Sequence, residues 1–522
     1  MSLRRSASHG MLLGIVAGVL IVLLVFAWMI GYTLLDKSSK DSSSSSPSAT
    51  SSGPMPKTSA ALARFYDQSL TWKKCQGGEC SWLTVPLDYA DPDGKTIKIA
   101  VNMVAAKDKS PIGDLVVNPG GPGQSGMQYA AAASYVFRSA LTNHFNIVGF
   151  DPRGIGASDP LKCWGTKDMD AFVAADPAPQ TPAARAAMDR QVHAFGESCL
   201  KNSGALAEHM STEEVARDVD ILRAALKQPK LDYFGASYGT FLGATYANLF
   251  PKNVGRMVLD GALDPTLSNE QLNLAQAHGF EVAMRSYIKD CVSKGHCVLG
   301  NSVEAGVRTV KALIASIRRS PLPTNDPDRP LTVGLASLGI FMPLYDKTWW
   351  GQLTSALTQA IQQHRGSGLL AMADLYASRD KTGYMDNSLD ALYNVNCLDD
   401  GASIPTSAVA KYVPRFEKAS PMFGDLFAYS LSTCHDWPIK SAKRPHALHA
   451  KGSPPILVMG TTRDPATPLA WAKALAKQLD NGVLVVRNGD GHTGYNQGNI
   501  CADDAVENFL VSDKVPADGT RC

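Results

Sequence analysis

LDYFGASYGT, residues 231–240, is the stretch that decides how this chain folds. An apolar run stops at Gly235, a serine follows two positions later, and Gly239 closes a Gly-x-Ser-x-Gly pattern. LDYFG predicts a strand. ASYGTFLGATYANLF, rich in small residues, predicts a helix that Gly239 and Gly243 allow close to a sheet. A serine on so tight a strand-to-helix turn has its hydroxyl lifted clear of the sheet. It also sits beside the free N–H groups and positive dipole end of the helix. The bland alternative is an ordinary turn serine between two glycines, and only the surrounding sequence separates the two.

Upstream, VVNPGGPGQSG (116–126) starts as a strand and becomes a glycine-rich loop. Such a loop brings backbone N–H groups against a developing oxyanion. Gly121, with the N–H of Tyr238, is the expected pair. A phosphate-binding loop is the rival, but the Gly-x4-Gly-Lys-Ser/Thr pattern is absent. Downstream, PILVMGTTRDPATP carries Asp464 just past a strand, and GVLVVRNGDGHTGY carries His492 just past the next. The order Ser, Asp, His is that of α/β hydrolases. Ser237 is then the nucleophile, His492 the base and Asp464 the group that orients the imidazole. Asp260, in RMVLDGALDP, ends the strand after the nucleophile's helix and is a rival acid; it is otherwise a brace for neighbouring loops. Asp490 lies nearer His492 along the chain, but sequence adjacency says nothing of geometry.

The rest of the chain is compatible with one large sheet. Short runs rich in Val and Ile alternate with helical patterns, which predicts a largely parallel arrangement. Strands are expected at 96–106, 114–118, 145–151, 231–236, 256–261, 455–460 and 482–488. A helix follows Ser211 and Glu214, a capping-box pair, with Val215, Val219, Leu222 and Leu226 at helical spacing. Between about 266 and 445 the strand rhythm gives way to helical stretches such as WWGQLTSALTQAI (349–361), broken by SPLPTNDPDRPLT (320–332). An insertion there would sit over the carboxyl ends of the strands, where open α/β sheets bind ligands.

The amino-terminal stretch stands apart. Residues 11–30 read MLLGIVAGVLIVLLVFAWMI, and no charged residue lies between Arg5 and Asp36. A bilayer-crossing helix needs roughly 20 apolar residues. Arg4 and Arg5 keep the preceding end in the cytoplasm, and Trp28 and Tyr32 suit the far interface. No small-residue cleavage site follows, so an anchor is expected over a cleaved secretory signal. Both readings export the remainder. The Ser-rich stretch to residue 59 cannot bury a core and is expected to be a tether. All ten cysteines lie beyond it. An even number in an exported chain implies disulfides, here expected between sequence neighbours. Cys291-x5-Cys297 encloses His296, yet that spacing fits no zinc pattern, and no metal or other cofactor is expected. With 50 basic against 48 acidic side chains, nothing calls for a nucleic-acid partner.

NPGGPGQSG, GFDPRGIGASDP, FGASYGT, TTRDPATP and GDGHTGY together resemble the α/β-hydrolase peptidases of the prolyl and tripeptidyl aminopeptidase family, a type common among exported actinobacterial enzymes. The resemblance runs from about 75 to 522, including the family's characteristic carboxyl-terminal region. It implies an α/β-hydrolase fold with a mostly parallel central sheet and a helical cap, preceded by one transmembrane helix. The expected organisation is a cytoplasmic end at 1–10, the membrane helix or uncleaved anchor at 11–35 and a Ser-rich linker at 36–59. The hydrolase core follows at 60–265, the helical cap at 266–445 and the second part of the core at 446–522. The resemblance implies hydrolysis near the free amino terminus of peptides, with Ser237, Asp464 and His492 as the triad. Such an enzyme must hold an ammonium group, and Asp399 or Asp400 in NVNCLDDG are candidates because Cys397 would anchor that loop. Thr467 would support the acid's loop, and Arg153 in DPRG would be a brace. A carboxylesterase or lipase on the same scaffold competes, and so does a non-catalytic cell-surface binding protein.

Overall fold

The computed structural model describes Met55, residues 59–441 and residues 444–522. The expected cytoplasmic end, membrane helix and all but a few residues of the Ser-rich linker lie outside these. Among the described residues no helix is long and apolar enough to cross a membrane.

Among the described residues twelve strands form: β1 (Lys73–Cys75), β2 (Gly78–Pro86), β3 (Thr96–Val104), β4 (Gly113–Asn118), β5 (Phe145–Phe150), β6 (Leu231–Ala236), β7 (Val254–Asp260), β8 (Arg379–Asp380), β9 (Gly383–Tyr384), β10 (Ile456–Arg463), β11 (Gly482–Asp490) and β12 (Thr520–Arg521). Ten make one sheet in the order β1-β2-β3-β5-β4-β6-β7-β10-β11-β12; β8 and β9 form a separate hairpin. The pairings from β1 to β5 are antiparallel, and those from β5 to β12 are parallel. All seven expected strands are present within a few residues. β1, β2 and β12, and the β8–β9 hairpin, lie outside those expectations. β2 alternates buried Ser81, Leu83 and Val85 with outward Trp82 and Thr84, a half-buried pattern at the antiparallel end of the sheet.

The central strands are buried on both faces, so they read as continuous apolar runs. Leu115 and Val117 of β4 pack with Ile147 and Phe234 on one face. Val116, between them, packs with Val148 and Tyr233 on the other. The helix Thr212–Ala225 covers that second face through Val215, Val219 and Leu222. Its capping box forms as the sequence suggests: the Ser211 N–H donates to Glu214 Oε2 at 3.2 Å.

Between β7 and β10 the chain is helical apart from the β8–β9 hairpin and an isolated Leu322–Leu331 bridge. It buries its own apolar cluster around Met284, Ile314, Trp350 and Phe423. Two helices from elsewhere join it: Thr166–Ala174 and Pro182–Ser203, which follow β5. Arg318 ties them in, pairing with Asp176 at 2.7 Å and Asp425 at 3.1 Å. The cysteines pair as sequence neighbours: Cys75–Cys80, Cys163–Cys199, Cys291–Cys297, Cys397–Cys434 and Cys501–Cys522.

The topology prepares a site. The chain leaves β4 for β5 on one side and later returns to β6 on the other, so the loops after β4 and β6 part from neighbouring strand ends. Such a switch point is where open α/β sheets bind ligands. Asn118 lies in register with Gly235, and Ala236 with Asp260. The loops after β4, β6, β7, β10 and β11 all emerge at that same carboxyl edge.

Candidate active site

Ser237 follows β6 and is the N-cap residue of the helix Tyr238–Leu249, with φ +56° and ψ −124°. A side chain held at positive φ carries backbone strain of roughly 1–3 kcal/mol. The surroundings enforce it. The Ser237 N–H donates to the Asp260 carbonyl at 2.9 Å, and the Thr240 N–H donates to the Ser237 carbonyl at 2.8 Å. The flanking glycines are required by crowding: a Cβ on Gly235 would lie 2.3 Å from the Gly239 carbonyl oxygen, and one on Gly239 would lie 2.6 Å from that of Asn118. The turn has the backbone geometry of a nucleophile elbow rather than of an ordinary turn.

The glycine loop packs against that elbow. A Cβ on Gly120 would lie 2.6 Å from the Ala236 carbonyl oxygen and 2.8 Å from Tyr238 N. Gly120 holds φ +99° and Gly121 φ +108°, and the Gly120 N–H donates to Asn118 Oδ1 at 3.0 Å. Tyr238 is the first helical residue, so its N–H has no acceptor within the helix. Gly120 of the glycine loop thus abuts the Tyr238 amide at the turn.

Asp464 and His492 meet. The imidazole Nδ1 lies 2.9 Å from Asp464 Oδ1 and 3.0 Å from Oδ2. The carboxylate, 2% exposed, also accepts from the N–H groups of Ala466, Thr467 and Thr493 at 2.8–3.0 Å and from Thr467 Oγ1 at 3.0 Å. So many donors fix its orientation and compensate its charge. A register shift between Thr461 and Arg463 lies just before Asp464, the kind of irregularity that re-aims a strand end. Burial pulls the His492 pKa down, but the charge and hydrogen bond of Asp464, with help from Asp260, outweigh it and raise it above 6.5. Its other nitrogen, Nε2, is buried and has no hydrogen-bond partner, Ser237 Oγ included. Such contacts are commonly long before substrate binds. The imidazole does lie over the end of β7: a Cβ on Gly261, the residue after Asp260, would be 3.4 Å from His492 Cε1.

Asp260 does another job. Its oxygens accept from the N–H groups of Gly494 at 2.7 Å and Tyr495 at 2.9 Å, bracing the loop just beyond His492. Burial pushes its carboxyl up to about 6. Asp490 pairs with Arg463 at 2.6 Å and accepts from Ser286 Oγ at 2.6 Å.

The carboxyl-terminal residues 420–522 match a family model described as TAP-like protein. Serine protease Hip1 of Mycobacterium tuberculosis is 35% identical to the chain over 87% of its length and 91% of the relative's. Carboxylesterase B of the same species is 32% identical over 85% and 86%. Tripeptidyl aminopeptidase of Streptomyces lividans is 30% identical over 88% of each. The chain belongs to the tripeptidyl-aminopeptidase-like family of α/β hydrolases. It is a serine hydrolase.

Other residues of this tripeptidyl-aminopeptidase-like chain take places the sequence leaves ambiguous. Asp399 accepts from the Thr212 N–H at 2.9 Å and from Thr212 Oγ1, which also meets the Tyr238 hydroxyl. It thus caps a core helix one side chain away from the nucleophile's neighbour. Asp400 is half-buried and accepts from the Ala402 N–H at 3.0 Å; burial raises its pKa. Thr467 supports the acid, as expected. Arg153 is fully buried as a brace, bound to both oxygens of Asp218 at 2.7–2.8 Å and to the carbonyls of Pro86, Leu87 and His209. Two contributors carry no sequence signal. Asn118 holds the glycine loop through Gly120. Tyr345, from the cap, accepts the His492 backbone N–H on its main-chain carbonyl at 2.7 Å and sets its ring edge-on to the imidazole at 5.3 Å.

Proposed function

We propose that the chain is an extracytoplasmic serine exopeptidase that releases short peptides or single residues from free amino termini. The buried Asp464–His492 pair, packed over Gly261 just after the Asp260 carbonyl that holds the Ser237 N–H, carries this reading. In the reaction, His492 Nε2 takes the Ser237 proton as Oγ attacks the scissile carbonyl. The N–H groups of Gly121 and Tyr238 receive the oxyanion. The imidazolium, steadied by Asp464, then protonates the leaving amine, and water repeats the sequence on the acyl-enzyme. The substrate's ammonium group needs a carboxylate, and the helix end bearing Asp399 and Asp400 is our candidate. Two relatives named as peptidases support a peptide substrate. Five disulfides support a site outside the cytoplasm. The apolar stretch 11–35 supports single-pass anchoring in the cell membrane, with secretion after cleavage as the alternative.

The relative named as a carboxylesterase favours a second reading, ester hydrolysis on the same site. Peptide anilides with free and acetylated amino ends, assayed beside simple aryl esters, separate the two. Free-amine anilides should be turned over with a kcat/KM at least tenfold above their blocked counterparts. Cleavage of esters alone, or indifference to acetylation, would sink the exopeptidase reading.

A further inference from the structure

A cavity of about 560 Å³ lies in the helical cap, bordered by neither Ser237 nor His492. Trp164, Met169, Tyr384 and Leu389 give it apolar and aromatic walls. These walls are held firmly: Trp164 stacks on Phe195 with ring centroids 4.4 Å apart, and the Tyr384 hydroxyl donates to Asp170 at 3.0 Å.

Asp390 borders the same cavity from the first turn of the helix Ser388–Asp399. It is only 7% exposed. Oδ2 accepts from the Cys163 N–H at 3.2 Å, while Oδ1 is buried without any hydrogen-bond partner. Burial pushes this carboxyl up to about 7, against the pull of the Cys163 and Trp164 N–H groups. Asp386 also borders the space, and its Oδ1 accepts from the Ser388 N–H at 3.0 Å. Lys162 is the basic residue on the rim, but it is exposed and leaves Asp390 Oδ1 unpaired.

A buried carboxylate oxygen with no donor is costly, because it has lost water and gained nothing. Apolar walls beside a buried, incompletely paired carboxyl group complement a group that is charged at one end and hydrocarbon at the other. We propose that this cavity binds an organic cation, an alkylammonium or guanidinium group that pairs with the Asp390 carboxyl group bordering it while its hydrocarbon part lies against Trp164 and Met169.

The cavity adjoins the reaction centre. A Cβ on Gly123 of the glycine loop would lie 2.4 Å from the carbonyl oxygen of Ser388, two residues before Asp390. Tyr238 shares an apolar cluster with Cys163 and Met169. The cation is therefore either a lysine or arginine side chain of the substrate or a free amine. Only the side-chain source rests on the peptidase reading; the site itself does not.

Calorimetry of the full chain with butylamine, and with butan-1-ol as its neutral counterpart, tests the site without any turnover. Butylamine should bind and butan-1-ol should not. Asp390→Asn keeps an oxygen for the Cys163 N–H and should weaken butylamine about tenfold or more. Unchanged affinity in a folded Asp390→Asn protein overturns the proposal. So does equal binding of the two probes, or no binding of butylamine, by the wild-type protein, which decides the matter even if the variant does not fold. Kinetics then separate the sources. A rise in KM with butylamine for lysine-containing peptide anilides, absent for their norleucine counterparts, assigns a substrate side chain. Bound butylamine with KM unchanged for both assigns a free amine.

Discussion

Burial alone would keep the His492 imidazole neutral, yet Asp464 lies against its Nδ1 at 2.9 Å and raises its pKa above 6.5. A base must be unprotonated to accept the Ser237 proton, so activity should fall as pH drops through that raised value. The acid limb of kcat/KM should therefore have its midpoint above 6.5; a midpoint clearly below it would contradict the pairing. The two carboxylates near the imidazole differ in what they hold. Asp464 holds the ring, and Asp260 holds the backbone at Gly494 and Tyr495. Asp464→Asn should lower kcat by about 10³–10⁴-fold, because the amide no longer fixes the tautomer. Asp260→Asn should lower the melting temperature and reduce kcat by less than about a hundredfold. Equal losses in the two variants would reverse the roles. The sequence offers both residues at the ends of apolar strands and assigns the role to Asp464 with Asp260 as the rival, since a carboxylate's partner lies on a different strand.

The strand–elbow–helix element can be tested at its tightest contact. In an ordinary helix Gly→Ala gains up to about 1 kcal/mol. Gly351, in the helix Trp350–Gln362, has nothing within 4 Å of a Cβ position, and Gly351→Ala should stabilise the protein by about that much. At Gly239 the same change places a Cβ 2.6 Å from the Asn118 carbonyl oxygen. Overpacking of this kind costs roughly 1–3 kcal/mol. Asn118 also anchors the Gly120 N–H, so displacing it moves the amide cradle, and Gly239→Ala should reduce kcat by about a hundredfold. Thermal melts and turnover of the two variants, measured together, check both statements. The central strands were legible because double-sided burial writes an unbroken apolar run. β2 was not: its burial is one-sided and its alternation is diluted by Cys80, Ser81 and Thr84. The two-residue β12 is too short to carry any period.

Across the whole molecule, helices from two separate stretches of chain build the cap, and cross-links secure them. The Cys163–Cys199 bridge spans 36 residues and Cys75–Cys80 spans 5. Chain-entropy arguments assign the longer loop roughly 4 kcal/mol and the shorter about 2 kcal/mol. Replacing Cys163 and Cys199 by alanine should thus shift the denaturation midpoint more than the same change at Cys75 and Cys80; the opposite ranking would locate the cap's stability elsewhere. By itself the sequence determined the strand run, the elbow, the Ser-Asp-His order and the helical character of the insertion, because each is written in local periodicity or in residues a few positions apart. The tertiary structure alone decided that Asp260 braces the loop beyond His492, that Gly120 abuts the elbow, that Tyr345 of the cap positions the imidazole loop, and that Asp390 keeps a buried oxygen unpaired. Each of those depends on which loops meet at the carboxyl edge of the sheet and under the cap. That convergence is set by strand order and packing, which no short window of residues encodes.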